Sequence, residues 1–104
     1  MDVLITGSTG MVGKSVLHEC IKDKRVKSIY LINRISTNLK SSKISEFILK
    51  DFLYVGELKD KIPNCDACFH CMGITSFGQK SDYYYRVTFE MTKVLTDLVY
   101  EINP

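Results

Sequence analysis

Three glycines near the start of the chain, in Val3-Leu4-Ile5-Thr6-Gly7-Ser8-Thr9-Gly10-Met11-Val12-Gly13, follow the spacing G-x-x-G-x-x-G. Four apolar-rich residues precede them. An amphipathic stretch follows, with Val12, Val16, Leu17, Cys20 and Ile21 at helical spacing. The segment therefore reads as a buried strand, a tight turn and the first turn of a helix. Gly7 permits a sharp exit from the strand, Gly10 a close backbone approach by a ligand, and Gly13 close packing of helix on sheet. The unpaired N–H groups and the positive dipole end of the helix would face an anion at this corner.

Two other readings compete with a dinucleotide corner. The run Ser8-Thr9-Gly10-Met11-Val12-Gly13-Lys14-Ser15 is one residue away from the phosphate-binding pattern G-x-x-x-x-G-K-[ST], with Ser8 where its first glycine belongs. That pattern also wants a second strand ending in a magnesium-binding aspartate. The later apolar strand runs instead into His70-Cys71-Met72-Gly73. The other reading is a glycine turn that binds nothing. It accounts for the strand and the helix but not for three glycines at this spacing. On the dinucleotide reading, Lys14 and Ser15 begin the solvent side of the helix.

The chain has 104 residues, enough for one domain with one core. Its 45% apolar and 25% charged content is ordinary for a globular protein. A net charge of +2 is too small to argue for nucleic acid or a membrane surface, and no apolar run approaches a membrane span. With the first strand starting at Asp2 or Val3, no signal peptide is expected and a cytoplasmic location is. Cys65, Cys68 and Cys71 have the spacing C-x-x-C-x-x-C, with His70 adjacent, which resembles a ligand set for zinc or an iron–sulfur cluster. The segment reads as a strand, however. Alternation would turn Cys68 away from Cys71, so free thiols are expected and no metal.

Further strands are expected at Ser28–Ile32, Ser45–Lys50 and Ala67–Cys71, with a loop or poorly formed helix at Ser36–Lys43. A short helix is expected between Leu53 and Ile62, stopped by Pro63. A last helix should start at Ser81 or Asp82 and run to Ile102, with Val87, Met91, Val94, Leu95, Leu98 and Ile102 on one face. Alternating strands and helices give a parallel sheet covered on both faces. Right-handed crossovers place the strands in the order 3-2-1-4, part of a doubly wound, Rossmann-like α/β fold. The ligand crevice then lies at the carboxyl ends of strands 1 and 4.

Asn33 follows Gly13 by about twenty residues, where the motif places a ribose contact. An acidic group there would favour NAD. Arg34 instead offers a charge-assisted contact to a 2′-phosphate, so NADP is the expected coenzyme over NAD. An exposed arginine at a strand end is the alternative.

The chain resembles the amino-terminal half of an atypical short-chain dehydrogenase/reductase, in the NAD(P)-dependent epimerase-like superfamily. The resemblance is carried by Thr6 to Gly13, Asn33-Arg34, Asp51-Phe52, the segment Cys65 to Gly73, and Tyr85-Arg86-Val87-Thr88. It implies that the backbone at Thr9, Gly10, Met11 and Val12 holds the pyrophosphate. It implies also that Arg34 meets the 2′-phosphate, that Asp51 and Phe52 border the adenine, and that Cys71, Met72 and Gly73 line the ribose nearest the nicotinamide. Thr88 and Met91 depart from the asparagine and the small glycine common at those places.

The family's chemistry is hydride transfer at C4 of the nicotinamide, served by a Tyr-x-x-x-Lys pair whose lysine lowers the tyrosine pKa. No such pair stands here: four residues beyond Tyr83, Tyr84 and Tyr85 are Val87, Thr88 and Phe89. The resemblance thus implies one coenzyme-binding domain, 1–104, truncated before its catalytic half and inactive alone. A non-catalytic nucleotide-sensing or regulatory module is the second expectation. An unprotected edge at strand 4 would also favour marginal stability or self-association.

Overall fold

The computed structural model describes residues 1–71 and 81–103, with only the backbone described for 81–89. Strands β1 (Asp2–Thr6), β2 (Ser28–Asn33), β3 (Ile44–Ile48) and β4 (Ala67–His70) form one sheet in the order β3-β2-β1-β4. Every pairing is parallel, with Val3 opposite both Ile29 and Ala67. Helix α1 (Met11–Lys22) joins β1 to β2, and α2 (Ser81–Ile102) follows β4.

The alternation of side chains along β1 divides the core in two. Val3 and Ile5 face α1, where they pack with Leu17, Cys20, Val26, Ile29 and Leu31. Leu4 faces the other way, into a cluster that includes Phe52, Val55, Leu58, Met91, Leu95, Leu98 and Ile102. Helices therefore cover both faces, as a continuous apolar β1 and β2 require. Leu4, Ile5, Leu31 and Ile32 are fully buried, and each such side chain contributes roughly 1.5–3 kcal/mol relative to exposure.

The crossovers differ from expectation in detail. The connection from β2 to β3 is the loop of the two expected alternatives, while β3 begins a residue early, at Ile44, because Ile44 pairs with Ile29. Between β3 and β4 lies a 3₁₀ helix over Phe52–Leu58, interrupted at Tyr54 by φ −92° and ψ 15°. Asp51 caps it, accepting a hydrogen bond from the Leu53 N–H at 3.0 Å.

Two tethers join elements that the sequence does not visibly connect. Lys43 Nζ donates to the carbonyls of Ile21 and Asp23 at 2.9 and 3.0 Å, placing a cation at the negative end of the α1 dipole. Asn103 uses its amide like a strand neighbour. It accepts from the Cys65 N–H at 3.0 Å and donates to the Cys65 carbonyl at 2.7 Å, fixing the end of α2 to the entrance of β4. No helix among the described residues is long and apolar enough to cross a membrane.

Candidate functional site

The winding reverses between β1 and β4. From β1 the chain passes over one face through α1, and from β3 it passes over the other face into β4. The carboxyl ends of these two strands are thus the topological switch point of the sheet, and in open α/β sheets that is where ligands bind.

The glycine turn forms one wall. Gly7 has φ 73°, a left-handed conformation that a side chain would strain. A Cβ on Gly13 would lie 2.1 Å from the Gly7 carbonyl oxygen, so glycine is required there for α1 to seat on the turn. Gly10 is different. Its φ is −78°, and a Cβ there would meet only the Gly7 carbonyl oxygen, at an ordinary 3.7 Å. Among the described residues, nothing demands glycine at position 10. The carbonyl of Gly10 accepts from the Lys14 N–H, while no side chain caps the start of α1 and no acidic residue stands in its first turn. Thr9, Gly10, Met11 and Val12 are all exposed at this corner, Met11 to 87%. The helix thus presents open N–H donors and two uncovered apolar side chains to the same space. Lys14 and Ser15 lie on the solvent side, as expected.

The loop after β2 forms a second wall. Arg34 is exposed at its start. Asn33 is buried, and its amide is turned inward. Oδ1 accepts from the Ser8 N–H and hydroxyl, both at 3.0 Å, and Nδ2 donates to Ser8 Oγ at 2.8 Å and to Glu46 Oε2 at 2.9 Å. Its side chain is thereby committed within the protein, where the motif spacing suggested a ribose. Burial pushes the Glu46 carboxyl up, but hydrogen bonds from the Thr37 N–H, Ser36 and Asn33 outweigh it and leave Glu46 below the usual carboxylate range.

The floor is built around His70 at the end of β4. Thr6 Oγ1 and His70 Nδ1 share a hydrogen bond at 2.6 Å, Thr92 Oγ1 lies 3.4 Å from Nε2, and the ring stacks on Phe52 with centroids 6.0 Å apart. Phe52 is buried in the core and Asp51 is exposed beside it. Cys71 is half-buried, its N–H donating to the Thr6 carbonyl at 3.0 Å. Met72 and Gly73 lie outside the described residues. Cys65 is buried away from this end, its thiol donating to the Pro63 carbonyl at 3.4 Å and pushed up by burial to about 11.

The roles of Ser8, Glu46 and Thr6 do not stand out in the sequence. Their partners lie 25, 13 and 64 residues away. A groove of about 450 Å³ lined by Met1, Val3, Cys20, Asp23, Arg25 and Phe69 lies among the amino ends of the strands, away from the glycine turn.

Burial holds the His70 imidazole below its ordinary 6.5. Just below that pH the unfolded chain binds more protons than the folded one, so stability falls as the solution is acidified through this window. The thermal midpoint should begin to drop as the pH falls through about 6.5, and His70→Gln should remove that part of the slope. An unchanged slope in the variant would assign it to another group.

The model for the NAD dependent epimerase/dehydratase family matches residues 3–104. The chain belongs to that family. It is 33% identical over 78 residues to "Protein FMP52, mitochondrial" from Meyerozyma guilliermondii, an alignment covering 72% of this chain and 32% of that protein. The chain thus spans about a third of that relative. Its fold is also that of glucuronic acid dehydrogenase from Chromohalobacter salexigens, with TM-score 0.76 and 14% identity over 98% of this chain and 37% of the other. A variant of uronate dehydrogenase from Agrobacterium tumefaciens, complexed with NAD, superposes with TM-score 0.69 at 15% identity, covering 93% and 35%. The architecture is that of an NAD(P)-binding, oxidoreductase-like fold.

Proposed function

We propose that the chain is the coenzyme-binding part of a short-chain dehydrogenase/reductase-like oxidoreductase and that its coenzyme is NADP(H). The observation that carries this reading is the contrast among the glycines. Gly7 and Gly13 are explained by backbone conformation and packing, whereas Gly10 has room for a side chain that it lacks. A ligand seated against the uncapped start of α1 supplies the missing reason, since a Cβ at position 10 would occupy its approach.

The N–H groups at the start of α1 would bind the diphosphate, and the exposed Met11 and Val12 would be covered by it. Arg34 would pair with a 2′-phosphate at the adenosine ribose. Asp51 and Phe52 would border the adenine, and Cys71 the second ribose. The chemistry that a nicotinamide coenzyme would supply here is hydride transfer. No Tyr-x-x-x-Lys pair occurs in the 104 residues, so on this reading proton transfer to the substrate oxygen needs residues supplied from outside them.

Calorimetric titration with NADPH and with NADH tests the reading. Saturable NADPH binding is expected, and Gly10→Ala should weaken it at least about tenfold while leaving the thermal midpoint within a few degrees of the parent. No binding of either coenzyme at millimolar concentration would overturn it. Binding that survives Gly10→Ala would move the diphosphate away from this corner.

A further inference from the structure

The glycine turn and the loop after β2 are joined by a hydrogen-bond chain whose polarity is fixed. The Ser8 N–H can only donate, so Asn33 must present Oδ1 to it at 3.0 Å. Asn33 Nδ2 must then find acceptors. It finds Ser8 Oγ at 2.8 Å and Glu46 Oε2 at 2.9 Å. Glu46, an acceptor on both oxygens, takes the Ser36 hydroxyl at 2.7 Å and the Thr37 N–H at 3.0 Å as well. Arg34 therefore stands between two anchored neighbours, Asn33 and Ser36, in a connection that contains no regular structure before β3.

We propose that Asn33 and Glu46 act as a paired positioning device for the dinucleotide, setting the spacing between the turn that receives its diphosphate and the loop that receives its adenosine ribose. The inference rests on the coenzyme reading above. Neither side chain needs to touch the ligand. Asn33 is 1% exposed, with both ends of its amide engaged by the protein. The strand pairing already holds the Glu46 backbone opposite Leu31, so the three bonds to its carboxylate add orientation to the loop rather than register to the sheet. The network is buried at Ser8 and Asn33 and half-buried at Glu46, Ser36 and Thr37, and satisfied polar groups of this kind specify one geometry more sharply than an apolar contact would. The low pKa of Glu46 agrees with a carboxylate that stays ionised as the common acceptor.

The pair can be exchanged to test this. In Glu46→Gln the new amide keeps only part of the acceptor surface, and a donor can face Asn33 Nδ2. In Asn33→Asp two carboxylates face each other. The double variant combines Asn33→Asp with Glu46→Gln. Its new carboxylate at position 33 accepts from the Ser8 N–H and from the amide at position 46, whose oxygen still accepts from Ser36, while the Thr37 N–H, which shares Oε2 with Asn33 in the parent, loses its acceptor. Each single substitution should weaken NADPH binding about tenfold or more, and the combination should recover part of that loss through the restored contact between positions 33 and 46, a coupling that independent residues do not show. Thermal midpoints of all four proteins, with titrations run well below the lowest, separate loss of affinity from loss of fold. Should a single variant fail to fold, Ser36→Ala decides, with an expected loss of about threefold at an unchanged midpoint. A parent that binds NADPH alongside single variants that bind it equally well, or losses that simply add, would overturn the device alone. A parent that binds no coenzyme would overturn the coenzyme reading itself.

Discussion

Gly13→Ala is expected to cost the fold about 3 kcal/mol, the upper part of the range for overpacking a filled core. The new methyl carbon would lie 2.1 Å from the Gly7 carbonyl oxygen, 2.7 Å from the Gly7 carbonyl carbon and 2.9 Å from Ser8 Cα. All three are backbone atoms, so no rotamer change relieves the contact. The turn cannot move outward freely either. Gly7 N–H reaches the Ile32 carbonyl at 3.4 Å, and Ser8 is held by Asn33 through both its N–H and its hydroxyl. Either α1 lifts from the sheet, uncovering Leu17 and Cys20, or the turn breaks its bonds to β2. In a domain of about this size the midpoint should fall by roughly 12–24 °C. Urea and thermal unfolding of Gly13→Ala beside Gly10→Ala make the comparison. The Gly10 substitution replaces a helix N-cap and meets only an ordinary contact, so a few tenths of a kcal/mol are expected, up to about 1. Equal stability for the two variants would contradict the packing assigned to Gly13.

The same glycines explain why the β1–turn–α1 unit is legible in the sequence. Each structural glycine has a local cause: a positive φ at Gly7, a close contact at Gly13, with a strand and a helix of different period on either side. The strand order is legible because right-handed crossovers and the alternation of elements leave few arrangements, and the α2 face because Met91, Leu95, Leu98 and Ile102 repeat at helical spacing. What escapes depends on contacts between distant segments. Asn33 stands at the expected distance from Gly13, but its partner Glu46 lies two positions short of Ile48, the residue opposite Asn33 on β3. Only the strand register brings the two together. In the sequence His70 looks like a companion of the cysteines beside it, yet its hydrogen bond is to Thr6, 64 residues earlier. The sequence leaves a loop and a poorly formed helix both open between β2 and β3, and contacts between distant segments decide for the loop. The stretch from Ser36 to Lys43 has little apolar surface to bury, and it is held by Glu46 at one end and by the Lys43 bonds to α1 at the other.

Arg34→Asp should produce the largest change in ligand choice. Arg34 follows the buried Asn33 directly, its side chain is exposed, and among the described residues no carboxylate forms a salt bridge with it. Its guanidinium is therefore available to a dianionic group at the ribose, and a charge-assisted contact of that kind contributes about 1.5–3 kcal/mol. Aspartate would remove that contact, repel a 2′-phosphate and offer acceptors to free ribose hydroxyls. NADPH affinity should fall about tenfold to a hundredfold, while NADH affinity holds or rises. On the proposed NADP(H) reading the contact lies at an exposed side chain, so a preference of the parent for NADPH should also shrink as salt is raised, and that salt dependence should vanish in the variant. Titrating both coenzymes at two ionic strengths reads all of these at once. A variant that keeps the parent's NADPH affinity would place the 2′-phosphate elsewhere, and the exposed arginine would then be no more than a solvated end to β2.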